Sequence, residues 1–500
     1  MRKKQRLRRV LAVSLVLVLV LALVLSVVVS AVARAEAEEP PADRCEMRIT
    51  WMEEEQALYI EQRLVYTNRD DRAVNGVIFY AAANMFRRQS ALMYGDATFP
   101  AVFPEGYVPA GIDLLEVTRN GESADYGFRD KDEIYLRVGG RTEPGETCEF
   151  TFRYYLLLER CNAMIGLSDT DVRLSAFYFA PVYLYGGEFR LSAPVEHTAW
   201  LFTGRTDFDV TLACPFSYLP AATGTETLLA RDGETSVWRF QAEGVREFAL
   251  SFGRRWREYA SVTSGGTRVR VLSNHRLDAP RVLARAAAVL EVLEGWFGPL
   301  PAGSLDILQT DHAAGTLSFP GAIWLPEACW DLTGVGKRAL ETALARQYIG
   351  CAAFAEPVAD AWLTDVPDIY LGLLCTEELD GRDAFLSALN DQVLDSLNIT
   401  VPGGLGVTSD ARIFTPYEYE IVVLGRGAAV MHELRLACGR ETFLRGMRTF
   451  YEMRSEKDVL GELDLVEAFD RASGGNWEAF LTDWLFHVDE YVGQGIDFYE

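Results

Sequence analysis

Histidine is scarce in this chain. Its 500 residues include five, at His197, His275, His312, His432 and His487, and no two stand four apart. A zinc helix of the His-Glu-x-x-His kind needs two imidazoles one turn apart on one face, so that site is excluded. His432-Glu433-Leu434-Arg435-Leu436 begins like such a motif but ends on leucine, a chance match. The eight cysteines (Cys45, Cys148, Cys161, Cys214, Cys329, Cys351, Cys375 and Cys438) include no Cys-x-x-Cys pair, which excludes a zinc ribbon or a thioredoxin-type motif. Lysine is as scarce, with five among the 48 lysine and arginine residues. Against 72 acidic residues the net charge is −24, and a surface of that sign does not bind nucleic acid through its phosphates.

What cationic charge there is gathers at the start. Arg2, Lys3, Lys4, Arg6, Arg8 and Arg9 precede an uncharged run of Leu, Val and Ala from Val10 to Ala33. Such a run is long enough to cross a bilayer, which takes roughly 20 residues. Ala33-Arg34-Ala35 also offers small residues at a cleavage site, so residues 1–34 read as a signal anchor or a signal peptide. In either case residues 35–500 lie outside the cytoplasm, at the cell membrane if the anchor is retained and secreted if it is cleaved. Removing the seven cations of residues 1–34 from −24 leaves −31 on the remainder, which favours solubility and repels anionic lipid.

With 49% apolar and 12% aromatic residues the chain can bury more than one core, and its patterning changes once. After an acidic stem at 35–44, Leu58, Ile60, Leu64 and Tyr66 alternate with polar residues. So do Ile134, Leu136 and Val138, then Cys148, Phe150, Phe152 and Tyr154, then Phe208, Val210 and Leu212. Period two bounded by turns such as Asn120-Gly121 and Pro144-Gly145 predicts an antiparallel β-sandwich over 45–257. Cys45 and Cys148, both on predicted strands of it, could pair in an oxidising compartment. After Gly265-Gly266 the period becomes helical, with Val282, Leu283, Ala286, Val289, Leu290, Leu293 and Phe297 ending at Gly298-Pro299. A strand at 305–309 follows, then helices at about 336–354, 366–378, 383–396, 417–438, 440–453, 463–472 and 476–487. Residues 258–490 therefore read as an α+β domain with its strands in front, and 491–500 as a tail.

Three segments stand in a telling order: Gly315-Thr316-Leu317-Ser318-Phe319-Pro320-Gly321, then Thr342-Ala343-Leu344-Ala345-Arg346-Gln347-Tyr348, then Trp362-Leu363-Thr364-Asp365. Together with Tyr66-Thr67-Asn68, Val117-Thr118-Arg119-Asn120-Gly121, Pro144-Gly145-Glu146, Val245-Arg246-Glu247-Phe248-Ala249, Leu424-Gly425-Arg426-Gly427-Ala428 and Trp484-Leu485, they give a chain that resembles the aminopeptidase N family of gluzincin metallopeptidases. The resemblance covers nearly all of 45–490, without the C-terminal helical domain of longer members. It implies an N-terminal β domain followed by a thermolysin-like domain.

The resemblance also implies what has been lost. Thr342 and Arg346 stand where that family has its two zinc histidines, Ala343 where it has the general-base Glu, and Leu424 where it has the oxyanion Tyr. Ser318 replaces the Glu that holds the substrate amine, and Asp365, 19 residues after Arg346, keeps a shortened third-ligand carboxylate. Without metal there is no activated water, and without the Glu nothing takes its proton. One missing oxyanion donor alone costs about 100- to 1,000-fold in rate. The expectation is a membrane-anchored, non-catalytic protein with no metal or cofactor that binds peptide or protein, or acts as a scaffold. Gly315, Ser318, Phe319, Tyr348 and Tyr419 are its candidate groove residues. Arg346 is expected to pair with Asp365 inside the vacated pocket; the plain alternatives are a solvent-facing Arg346 and an ordinary turn acid before Pro367. Two other readings stay open, a rebuilt zinc aminopeptidase drawing ligands from Asp311, His312 and Asp365, and a subunit of a larger membrane complex. Asn398-Ile399-Thr400 fits a glycosylation acceptor.

Overall fold

The computed structural model describes residues 42–313, 315–398 and 405–492. The apolar run Val10–Ala33, most of the acidic stem, most of Asn398-Ile399-Thr400 and residues 493–500 lie outside the described residues. Among the described residues no helix is long and apolar enough to cross a membrane.

The segments of period two form one large sheet. Its strands are β1 (Asp43–Met52), β2 (Ala57–Thr67), β3 (Gly111–Arg119), β4 (Glu122–Ser123), β5 (Thr147–Leu157), β6 (Thr206–Pro215), β7 (Thr225–Arg231) and β8 (Thr235–Val245), in the order β7-β8-β6-β1-β2-β5-β3-β4. Two four-stranded sheets and a two-stranded ribbon complete this half. Phe79, on the strand Val74–Tyr80 of one four-stranded sheet, meets Phe150 and Phe152 of β5 edge-on at 5.0 and 5.2 Å. Aromatic edges packed onto the alternating residues of β5 make the core between sheets. The antiparallel expectation fails at one place, because β1 runs parallel to β6, pairing Asp43 with Thr206 through Thr50 with Ala213. Those strands are joined by about 150 residues of chain rather than a hairpin, so no turn forces them to oppose. Cys45 on β1 and Cys148 on β5 are separated by β2, and both are free thiols.

Another sheet begins at Arg257. Strands β9 (Arg257–Val262), β10 (Arg268–Ser273), β11 (Ser304–Thr310), β12 (Leu317–Phe319) and β13 (Ala322–Pro326) lie in the order β9-β10-β11-β13-β12, which leaves β12 at an edge. Between β10 and β11 runs helix α1 (Ala279–Phe297), which buries Val282, Ala286, Val289, Leu290, Leu293 and Phe297, the residues of its apolar stripe. Helices α2 (Gly334–Arg346), α3 (Ala361–Asp380), α4 (Arg382–Asn398), α5 (Arg426–Cys438), α6 (Arg440–Glu452), α7 (Glu462–Ser473) and α8 (Glu478–Val492) follow. The molecule is thus a β-rich half followed by a mixed sheet and a set of helices.

Two helix boundaries differ from expectation, and both matter to the site. α2 stops at Arg346 rather than near 354, and beyond it the turns tighten and loosen, with Gln347 N–H bonded to Leu344 O and Cys351 N–H to Arg346 O. α3 starts at Ala361 rather than 366, so Pro367 lies inside it and Asp365 is a helical, buried residue rather than a turn acid. Proline there lies past the first turn and leaves the Leu363 carbonyl without its i→i−4 donor.

α2 and α3 cross in close contact. A Cβ on Gly372 would lie 2.9 Å from the backbone nitrogen of Thr342. Replacing an interior helical glycine by alanine is normally worth up to about 1 kcal/mol of added stability. Here the crossing reverses the sign: Gly372→Ala is expected to destabilise by about 1–3 kcal/mol through overpacking. Urea denaturation checks this, and an unshifted midpoint would refute so tight a crossing.

Candidate functional site

The end of α2 and the first two turns of α3 bring together the residues that the sequence order singles out. Arg346 donates from Nη1 to Asp365 Oδ1 at 2.5 Å and lies 3.8 Å from Asp368 Oδ2. Asp365 is also held from its other side, since its Oδ2 accepts from the hydroxyls of Tyr419 at 2.6 Å and Thr198 at 2.9 Å. Thr198 comes from the β-rich half. Its neighbour His197 lies over the Tyr419 ring, 4.6 Å between centroids, with Nε2 2.9 Å from Ala411 O. The β-rich half therefore covers the site with Thr198 and His197.

The space is set by backbone packing. A Cβ on Gly350 would fall 2.7 Å from Asp368 Oδ2 and 2.9 Å from Arg346 Cγ, so glycine is what lets the chain after α2 close over the ion pair. Thr342 is half-buried with its backbone against Gly372. Ala343 is buried, and its carbonyl accepts from the Ser318 hydroxyl at 3.0 Å. Gln347 ties β12 to α2: its Nε2 donates to Ser318 Oγ at 2.7 Å and to Phe319 O at 3.0 Å, and its Oε1 accepts from Gly321 N–H. Ser318 thus acts as a strut between strand and helix.

Two groove candidates turn away from the site. Tyr348 is fully buried with its hydroxyl on Gly298 O and its ring against Phe297 and Tyr451, because two residues past Arg346 a helical chain presents its opposite face. Phe319 packs edge-on against Trp324 at 4.8 Å, since strand residues alternate faces and Ser318 takes the one toward α2. Gly315 is exposed, with its carbonyl 2.6 Å from His312 Nε2. Leu424 lies in a π-helical stretch, Glu420–Gly425, directly after Tyr419. The site's tyrosine hydroxyl comes from Tyr419, five residues before Leu424.

Four contributors escaped the sequence reading. Asp368 follows Asp365 at helical i,i+3 spacing, a signal that was available. Thr198, Glu247 and Cys351 come from separate segments with no periodicity to mark them.

The electrostatics are those of one cation among several carboxylates. Burial alone would lower the Arg346 pKa, but Asp365 and Asp368 outweigh it and raise it. Burial lifts Asp368 well above the usual carboxylate range despite the opposing pull of Arg346. Glu247 is raised by burial to about 7, with Arg346 opposing.

This donor set does not fit a zinc ion. The two positions one turn apart on α2 carry a hydroxyl and a guanidinium, and both oxygens of Asp365 are hydrogen-bonded. The other candidate ligands are engaged elsewhere. Asp311 Oδ2 accepts from Ser168 and Thr170, and His312 meets Thr310 through Nδ1 at 2.7 Å. Among the described residues no three His, Cys, Asp or Glu side chains converge as a metal site.

The architecture that holds this cluster is that of a known class of protein. The M1 zinc metallopeptidase of Deinococcus radiodurans superposes with a TM-score of 0.63 over 89% of this chain and 94% of its own, at 17% identity. A mutant two-domain M1 zinc metallopeptidase bound to L-arginine gives the same values, and a mutant of the Deinococcus enzyme bound to a Tyr-Ser-Ala substrate gives a TM-score of 0.61. The fold is therefore that of the two-domain M1 zinc metallopeptidases, the aminopeptidase N family. In sequence, 64 residues are 33% identical to aminopeptidase N of Lactococcus lactis subsp. lactis, a match over 13% of this chain and 7% of that protein. No family model matches.

The charges of the cluster can be tested by stability. Arg346→Met strands Asp365 and Asp368 without their cation and is expected to lower stability by about 3 kcal/mol. Adding Asp365→Asn should recover part of that loss in denaturant titrations, and equal losses in the single and double variants would show the pair uncoupled. Glu247 holds its proton more tightly folded (about 7) than unfolded (4.5). Its stabilising effect is complete below pH 4.5 and lost as pH rises through 7. Glu247→Gln should therefore gain on the wild type between pH 4.5 and 7 in melting temperature. Parallel curves would refute the assignment.

Proposed function

We propose that this chain is a non-hydrolytic protein of M1 fold that holds peptide or protein segments, or serves as a scaffold, at the outer face of a membrane. One observation carries the reading: a built-in guanidinium is bonded to the carboxylate that the family resemblance places as the third zinc ligand. A carboxylate whose two oxygens already accept from a guanidinium and two hydroxyls is a poor metal ligand, and a guanidinium neither exchanges ligands nor lowers the pKa of a bound water. Ala343 supplies no base, and the Tyr419 proton is committed to Asp365.

Binding needs none of these groups. β12 is an edge strand, and an extended segment can pair with such an edge through backbone hydrogen bonds alone. The Deinococcus neighbour has been solved with a Tyr-Ser-Ala substrate, which makes a peptide the natural ligand class to test. Attachment to the membrane rests on the uncharged run Val10–Ala33 after its cluster of basic residues.

Elemental analysis of the purified full chain, together with an aminoacyl-arylamide assay in added zinc, tests the reading. The expected result is zinc well below stoichiometric and no turnover above the blank. Stoichiometric zinc with turnover would replace this proposal with a rebuilt aminopeptidase.

A further inference from the structure

One length of chain reaches from the β-rich half to the site without backbone ties of its own. Among the described residues no backbone N–H from Ala193 to Ala199 donates to another backbone group, so this strap is held by side chains. Its two feet are fixed in the β-rich half. At the first, the Tyr135 hydroxyl donates to the carbonyl of buried Ser192. At the second, buried Trp200 meets the Tyr80 ring edge-on at 5.5 Å, and the Tyr80 hydroxyl accepts from Phe202 N–H. Between the feet Ala193 and Ala199 are exposed, and Glu196, His197 and Thr198 are half-buried.

Three side chains pin the tip. Glu196 Oε2 accepts from Gly95 N–H at 3.0 Å, within the β-rich half. Thr198 donates to Asp365 Oδ2 and His197 Nε2 to Ala411 O, and among the described residues these are the tip's hydrogen bonds to the helical half. The second is incompletely matched. Because Nε2 carries the proton that Ala411 O accepts, neutral His197 has a bare acceptor at Nδ1, which is buried without a hydrogen-bond partner. A buried polar atom left unpaired counts against the closed arrangement. A segment with solvated backbone and few ties can open while the rest of a fold stays intact.

We infer that residues 193–199 are a strap that closes the Asp365–Tyr419 pocket with the chain's own side chains and opens without unfolding of either half. The inference goes beyond the reading above and stands whether or not β12 holds a segment. Lifting the strap leaves Asp365 bonded to Arg346 and Tyr419. It removes one donor from Asp365 Oδ2, the donor to Ala411 O, and the imidazole that lies 4.6 Å from the Tyr419 ring. The open pocket therefore presents two acceptors and an aromatic face. A carboxylate matches neither acceptor, and an ammonium brings no ring. What fits is the strap's own chemistry supplied in trans: a ring bearing an N–H, followed by a hydroxyl residue.

Imidazole acylation of the full chain by diethylpyrocarbonate, read residue by residue in a mass spectrometer, tests the opening. His312 and His432 are buried in the body of the fold and serve as internal standards. His197 is expected to react at least about tenfold faster than either. Thr198→Val removes one bond from the closed strap and should speed His197 a further fivefold or about that, with the melting temperature close to wild type. A His197 rate no higher than the standards, or one unmoved by Thr198→Val, overturns the strap. The ligand class is tested with a fluorescent, blocked Pro-Val-Glu-His-Thr-Ala peptide and a control carrying Ala and Val in place of His and Thr. A variant with residues 195–199 replaced by Gly and Ser is expected to bind the first peptide at least about tenfold more tightly than the control. Thr198→Val gives the same comparison if that variant does not fold. Equal binding of the two peptides, or binding of neither by the folded variant, overturns the ligand class.

Discussion

A charge removed from water must be paired, and the site is arranged around meeting that requirement for Arg346. Its bond to Asp365 fixes the end of α2 against the start of α3, and Asp365 in turn orients Tyr419 and Thr198. Asp368 adds a second carboxylate on the same helix face. Breaking such a cluster by removing one partner is costly because the others stay buried, whereas an apolar replacement of the whole would be tolerated far better. The cluster therefore specifies a geometry more than it adds stability: it determines which residues of separate segments meet.

The surrounding frame shows which contacts hold this M1 architecture together. α2 and α3 are held by apolar burial and by close glycine contacts at Gly350 and Gly372, and β12 is fastened by Gln347 and Ser318. Small metallo-domains fold only when the ion is bound because they lack a sufficient core. Here the core runs through the β sheets and the helices alike, with Trp324, Trp330 and Trp362 almost wholly enclosed. Metal binding and folding are separable in a body of this size.

Much of this was legible in the sequence where a side chain's role follows from local period. The strands at 57–67, 147–157 and 206–215 and the stripe of α1 follow directly from alternation and helical spacing. The 19-residue step from Arg346 to Asp365 located the ion pair because both ends lie on helices whose mutual placement is set by the fold. What local period does not encode was missed. The parallel pairing of β1 with β6 depends on chain returning from far away, and Thr198 and Glu247 reach the site from the other half of the molecule. Tyr348 was misplaced because helix phase, not proximity in sequence, decides which side of α2 it occupies. The pairing of Asp365 with Arg346 was expected, with a turn acid before Pro367 as the plain alternative; the structure puts Asp365 and that proline inside α3.

Replacing a divalent ion by a guanidinium changes what a pocket can do in a definite way. Zinc carries two charges, accepts lone pairs from any direction and exchanges ligands, so it activates what it holds. Arginine carries one charge, donates only along fixed N–H directions and never gives up its proton, so it can orient a partner without activating it. Tyr419 and Thr198 reinforce that outcome, because their protons are directed at Asp365 and away from any developing oxyanion. What the pocket presents is a guanidinium held by Asp365, next to a helix end from which Gln347 and Cys351 reach the Phe319 and Ser318 carbonyls of β12.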